Sequence, residues 1–363
     1  MKRFNMIEPT LQDQTGHCYT YASSILAEAK KQGVLIELWL GRQGSSLFQN
    51  ESLHPFFVKN HRKLQQIKLF YKLIRGNENI FIPIASSFEM KVLDLLLRFK
   101  KSYSGQLFLH FHQFTRRQKK LDLVKVLSSR HPGWHIMTST DRLAQIFIDA
   151  GFKKVKMVPY PVYGSNDTIT EWHVNEIKKP HLLYIGAARE DKGFIQVIDF
   201  IEYSIQKKLD YQFTVQCSKP HSDKYDENIR VSVDKLKSFD AGVVHVLENT
   251  LSQEDYWSAF PNTICFAVYA GKKYADSVSG IVLDAIAAHV PVVTMANTWM
   301  SDVVEKHGVG VVIKHNDPQS IASAVSIVME DYQGFVERAE LASAKLKSFH
   351  SAKYTVEYIK YNI

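Results

Sequence analysis

Two aspartates stand eight positions apart in "DSVSGIVLD", residues 276–284, with small residues and an apolar run between them. Ionised carboxylates only accept hydrogen bonds, so such a pair suits the hydroxyls of a sugar or a ribose. Ser277 to Gly280 would open a short helix, whose free N–H groups and positive dipole end suit a phosphate or a sugar hydroxyl. The same letters also fit a plain strand–loop–helix–strand, with Ser277 as N-cap and Asp284 a solvated helix charge. A second stretch, "LLYIGAAREDKGFIQVIDFI", runs a buried strand into Gly186, then a loop with Arg189 and Lys192, then a helix starting near Gly193. A cation at a helix start opposes the dipole. It makes sense opposite an anionic diphosphate; a solvated loop charge is the other reading. His110 and His112 in "LFLHFHQF" alternate onto one side of a strand end. Alone they would be half of a metal site, but no carboxylate or cysteine stands nearby, so a polar role toward a ligand is preferred, beside a place in the core or at a sheet edge.

These residues need a scaffold, and the hydrophobic pattern supplies one. Apolar runs such as "RFNMI", "VLIELWL", "NIFIPIA" and "QLFLHFH" in the first half, and "HLLYIGA", "YQFTVQC", "TICFAVYA" and "VPVVTMA" in the second, alternate with amphipathic stretches such as "HCYTYASSILAEAKKQG". Near-continuous apolar strands separated by helices predict parallel sheets covered on both faces. Two such halves predict an α/β protein of two Rossmann-like domains. The expected division is an N-terminal domain over 1–160, a polar, turn-rich linker over 161–180, a C-terminal domain over 181–345, and a helix over 346–363 returning to the first domain. Ligands of open α/β sheets bind beyond the carboxyl ends of the strands, so a cleft with the two sheets facing each other is the expected site.

Composition narrows the class. The 363 residues are 45% hydrophobic and 23% charged, as in a soluble globular protein with room for two cores. No uncharged run approaches the ~20 residues that span a bilayer, and the start lacks a signal-peptide apolar stretch, so a cytoplasmic place is expected. Cys18, Cys217 and Cys265 are scattered and odd in number, which points away from a disulfide framework or a zinc cluster. Residues 1–160 hold 25 Lys+Arg against 11 Asp+Glu, and the remainder holds 20 against 26. The basic half carries "FFVKNHRKLQQIKLFYKLIRG", residues 56–76, and "FTRRQKKLDLVKVL", residues 114–127. A basic amphipathic helix reads as membrane-surface binding or nucleic-acid contact, or as a solvated face over a core stripe.

"DSVSGIVLDAIAAHVPVV" resembles the E-x7-E region of GT-B glycosyltransferases, especially the retaining family 4 type, with both acids Asp rather than Glu and His289 where the family usually has Gly. "YIGAAREDKG" is similar to the family's strand–Gly-Arg–Lys-Gly segment, in which basic residues hold the donor's diphosphate; Ala187 stands where the family's Arg would, which leaves Arg189 as the substitute. "DQTGHCYTYASSILAEAKKQG" resembles the family's N-terminal loop and helix, with Thr15, Gly16 and His17 in the turn. The resemblance extends to "HGVGVVIKHNDPQSIASAV". It implies a GT-B fold and a hexosyltransferase that uses a UDP- or GDP-sugar as substrate, with no metal and no cofactor, retention of configuration, and domain closure over the donor. It assigns Asp276, Lys192 and Arg189 to catalysis, Gly186, Gly193, Ser279, Gly280 and Asp284 to donor binding, and Gly16 and His17 to the acceptor side, where the residues themselves also put His110 and His112. The acceptor would be a glycan or a lipid-linked sugar in cell-surface polysaccharide or glycolipid assembly, which favours an anionic membrane surface, on the inner face, over nucleic acid. Rival readings are a non-catalytic GT-B subunit binding glycan or a partner glycosyltransferase, a basic nucleic-acid binder, and a sugar-nucleotide epimerase.

Overall fold

A computed structural model describes residues 2–13, 17–48, 52–100, 102–162, 177–218, 226–269 and 274–363. The chain forms two compact units, one of Met1–Asp167 with Phe349–Ile363 and one of Thr168–Ser348.

The first unit runs β1 (Arg3–Glu8), α1 (His17–Lys31), β2 (Leu35–Gly41), β3 (Ser52–Phe57), α2 (Arg62–Arg75), β4 (Ile80–Ile82), α3 (Ser87–Arg98), β5 (Leu107–Phe111), α4 (Gln118–Arg130), β6 (His135–Thr138), α5 (Asp141–Asp149) and β7 (Lys154–Met157). Its strands form one parallel sheet in the order β3-β2-β1-β4-β5-β6-β7. Strand residues alternate between faces, and here both faces are buried. Phe4, Met6, Phe81, Phe108 and Met137 pack with α1, while Ile7, Ile80, Ile82, Leu107, Leu109 and Ile136 pack with α2 to α5. That double burial is why the strands read as unbroken apolar runs. "NIFIPIA" contributes only Ile80–Ile82 to the ladder, because Pro83 has no N–H to donate. The basic run 56–76 is not one helix: Phe56 and Phe57 close β3, and α2 starts at Arg62.

The second unit runs β8 (His181–Tyr184), α6 (Phe194–Gln206), β9 (Gln212–Gln216), α7 (Glu227–Ser238), β10 (Val244–Leu247), α8 (Gln253–Ser258), β11 (Ile264–Ala267), α9 (Gly280–Ala287), β12 (Val292–Met295), α10 (Trp299–His307), β13 (Gly310–Ile313), α11 (Pro318–Glu330) and α12 (Tyr332–Phe349). Its parallel sheet has the order β10-β9-β8-β11-β12-β13. Side-chain caps start several helices: Asp226 accepts from the Ile229 N–H, Ser252 from Asp255, Thr298 from Ser301 and Asp317 from Ser320. Each cap satisfies an N–H that the helix itself leaves open. The last helix, α13 (Lys353–Asn362), belongs to the first unit, where Val356 and Ile359 are fully buried beside α1. Strand order reverses once in each sheet, between β1 and β4 and between β8 and β11; such reversals leave a crevice at the carboxyl ends of the strands. Among the described residues no helix is long and apolar enough to cross a membrane.

Candidate active site

The crevice between β8 and β11 is where most of the residues expected to meet a donor lie. After β8 the chain passes Gly186, whose φ of +120° is open only to glycine. Its N–H donates to Gln216 Oε1 over 2.6 Å. A Cβ at Gly186 would lie 2.7 Å from Ile281 Cδ1 and 3.6 Å from Lys192 Nζ. The Ile281 side chain, from the first turn of α9, and the Lys192 ammonium therefore both approach one bare stretch of backbone. A short 3-10 turn over Glu190–Lys192 then delivers Gly193, at φ +72°, as the N-cap of α6. A Cβ there would lie 2.3 Å from the Val268 carbonyl oxygen, so the loop leans on the end of β11 only because Gly193 has no side chain.

Lys192 and the start of α9 are joined through Tyr269. The Lys192 ammonium stands 5.5 Å from the centroid of the Tyr269 ring, a favourable cation–π placement. Tyr269 is buried, and its phenol is pushed well up by that burial while hydrogen-bonding Ser279. Ser279, not Ser277, is the N-cap of α9: its hydroxyl accepts from the Val282 N–H at 3.4 Å, and Gly280 is the first helical residue. The N-cap lies two residues later than the solvated reading of the segment places it, because Ser277 and Val278 remain in the loop. Asp276 lies in that loop with 7% of its surface exposed. At the far end of the segment, His289 takes a left-handed backbone at φ +59°, the conformation that favours glycine after a helix.

Asp284 lies one turn into α9 and is half-buried. Its Oδ2 accepts a 2.7 Å hydrogen bond from the Tyr256 hydroxyl of α8. Burial, and then the Asp284 charge, push the Tyr256 phenol well up. The same two causes push the Cys265 thiol of β11 up to about 12. Arg189 is differently placed from a free diphosphate ligand: its guanidinium forks onto Asp191, Nε donating to Oδ1 at 2.8 Å and Nη2 to Oδ2, and Nη2 also donates to the Tyr274 hydroxyl at 3.3 Å. Pairing with Asp191 raises its already high pKa, so its charge is balanced within the loop.

The residues expected on the acceptor side belong to the first unit. Gly16 and Thr15 fall outside the described residues, as does the side chain of His17, the first residue of α1. His110 is fully buried near the end of β5, with Nδ1 2.9 Å from the Tyr21 hydroxyl. Burial, then neighbouring His112, holds it well below the usual histidine range. His112 donates from Nε2 to the Pro83 carbonyl at 2.5 Å, and its Nδ1 lies 2.5 Å from Ser139 Oγ. The rings of His110 and His112 are 4.3 Å apart, on one side of the chain as their spacing predicts. Among the described residues no group of three His, Cys, Asp or Glu side chains converges as a metal site would need.

Two residues in contact with these side chains, Tyr269 and Tyr256, were not found by spacing. Tyr269 had a local signal, an aromatic ending an apolar strand before a small-residue loop. Tyr256 had none, because it meets Asp284 across 28 positions.

The two parallel-sheet α/β units of seven and six strands have the GT-B fold, as the solved structures named below show. Residues 179–331, most of the second unit, match the family described as "Glycosyl transferases group 1", which bears out the resemblance drawn from the donor-side motifs. Similar solved structures extend over the whole chain. A sucrose-phosphate synthase from Thermosynechococcus elongatus aligns with TM-score 0.71 at 10% identity, covering 99% of this chain and 98% of that one. The Anabaena protein HepE in complex with UDP-glucose aligns with TM-score 0.69 at 12% identity, covering 100% and 99%. An Escherichia coli trehalose-6-phosphate protein bound with UDP-2-fluoro glucose aligns with TM-score 0.66 at 9% identity, covering 99% and 98%. At these identities the likeness is one of fold. No curated protein matches the sequence.

Proposed function

We propose that the protein is a metal-independent, retaining hexosyltransferase of the family 4 type, moving a sugar from a nucleotide-sugar donor to a glycan or lipid-linked acceptor in cell-surface polysaccharide or glycolipid assembly. The observation that carries this is the approach of the Lys192 ammonium, and of the Ile281 side chain from the first turn of α9, to the bare backbone of Gly186. A diphosphate seated there meets a cation and a helix N-terminus together. As the leaving nucleotide departs, Lys192 offsets the growing negative charge, assisted by backbone N–H groups at Ser279 and Gly280. Asp284, held by Tyr256, accepts from the donor ribose, and Asp276 from hydroxyls of the transferred sugar. The UDP-sugars named with the Anabaena and E. coli structures favour a uridine over a guanosine donor. The first unit takes the acceptor, on the side of His110 and His112, and its basic surface holds the enzyme at the inner face of an anionic membrane. Arg189, already balanced by Asp191, favours a second reading, a GT-B subunit that binds donor without turnover.

A panel of UDP-, GDP- and ADP-hexoses, followed by release of nucleotide and by nucleotide binding, separates these readings. The expected result is turnover of a UDP-hexose, reduced ~10²–10³-fold in Lys192→Ala, as for loss of one transition-state donor. Arg189→Ala should lose less than roughly tenfold, since Asp191 already occupies that cation. Nucleotide binding without turnover would establish the non-catalytic subunit, and a Lys192→Ala variant as active as wild type would overturn the site.

A further inference from the structure

Helices α2, α3 and α4 lie side by side over one face of the first unit's sheet. Their outer sides share an unusual composition. α2 has no acidic residue, and Leu64, Lys68, Tyr71 and Arg75 follow one another along its exposed side. Leu64 is 63% exposed and Tyr71 54%. α3 continues the surface with exposed Leu95 and Arg98, and Phe99 just beyond it stands 83% clear. The acids of α3 are withdrawn: Glu89 is buried in the capping box of its own helix, and Asp94 is buried among Arg98, Arg130 and His131. In α4 the exposed bases Lys119 and Lys125 are accompanied by Asp122, the one exposed acid of the three helices.

Cations alone would suit any polyanion. Large apolar side chains held in water among those cations are a cost that a soluble surface or a phosphate-reading groove has no use for. Cations that reach lipid headgroups, interleaved with apolar side chains that enter the boundary below them, are the composition of a peripheral membrane face. We propose that the outer face of α2–α4 docks the protein on an anionic bilayer, with Lys68 and Arg75 at the headgroup phosphates and Leu64, Tyr71 and Phe99 entering the interface. This rests on the membrane-facing part of the functional reading and gives it a location and a penetrating apolar component.

The test is sedimentation of the full chain with phosphatidylglycerol–phosphatidylcholine vesicles and with phosphatidylcholine alone, with UDP binding and duplex-DNA binding measured in parallel. Wild type should bind the anionic vesicles selectively and less well at high salt. Each basic residue near such a surface is worth ~1 kcal/mol, roughly fivefold, so Lys68→Glu/Arg75→Glu should lose at least about twenty-five-fold. Leu64→Ser/Tyr71→Ser should also lose vesicle binding while keeping its charge. UDP binding should be unchanged in both variants. Equal binding to neutral vesicles, or wild-type partition in either double variant, overturns the proposal. Strong DNA binding with no vesicle binding assigns the face to nucleic acid instead. Vesicle binding by a protein that fails to bind UDP would leave the docking face standing and remove the functional reading alone.

Discussion

The Tyr256–Asp284 pair offers the sharpest test of the donor site. Replacing Tyr256 by Phe removes the hydroxyl that donates to Asp284 Oδ2 at 2.7 Å and leaves the ring contacts with Trp257 and Phe260 in place. A hydrogen bond to a charged acceptor contributes ~1.5–3 kcal/mol. Asp284 is only half-buried, so water replaces part of the lost bond and the lower end applies. If the hydroxyl acts by aiming the carboxylate at the ribose, Tyr256→Phe should weaken UDP binding roughly tenfold, the equivalent of about 1.4 kcal/mol. Asp284→Asn should weaken it at least as much. In the double variant the hydroxyl has no carboxylate to aim, so adding Tyr256→Phe to Asp284→Asn should cost little more. Isothermal titration of UDP into the four proteins gives the coupling directly. Tyr256→Phe with wild-type affinity, or losses that simply add, would refute the reasoning that Tyr256 orients a ribose-binding carboxylate.

Two further outcomes follow from the geometry. Gly193→Ala forces a left-handed non-glycine residue, ~1–2 kcal/mol, and sets a Cβ 2.3 Å from the Val268 carbonyl oxygen. With typical overpacking costs added, denaturant unfolding of the second unit should show a loss of roughly 2–4 kcal/mol, and a loss under about 0.5 kcal/mol would contradict the packing described. Buried His350 is depressed to about 4 by burial, with a bond from its Nδ1 to the Tyr160 carbonyl opposing the shift. The unfolded chain takes up that proton near pH ~6.5 and the folded one only near 4. This contribution, on the order of 3 kcal/mol, is therefore fully present above ~6.5 and is lost as pH falls toward 4. Unfolding midpoints measured across that window should fall less steeply in His350→Gln.

Much of this architecture was legible because parallel sheets leave a simple trace. Residues such as Phe4, Met6 and Ile7, or Ile264 to Ala267, are apolar without alternation because both faces of their strands are covered. β3 was not legible, because Pro55 interrupts its pattern; the proline is tolerated since β3 lies at the sheet edge. In the candidate site, Gly186, Lys192, Gly193 and Asp284 stand out in the sequence because their chemistry is local: glycines beside a strand end, a cation where a helix begins, an acid one turn in. Pairings between side chains carry no such trace, whether two residues apart or many. Arg189 reads as a free cation until Asp191 folds back onto it, and nothing near Asp284 announces Tyr256.

The return of α13 to the first unit separates the order of synthesis from the order of completion. Thr168–Ser348 is one uninterrupted stretch and has all of its own core once its last helix is made. The first unit is begun earlier, yet Ala352, Val356 and Ile359 fill its core beside α1, and the Lys360 ammonium donates to the Gln32 carbonyl at 2.7 Å. Those side chains are made only after the whole second unit. Until then α1 and the sheet beneath it keep an uncovered apolar strip, so of the two units the one begun earlier is the one completed later.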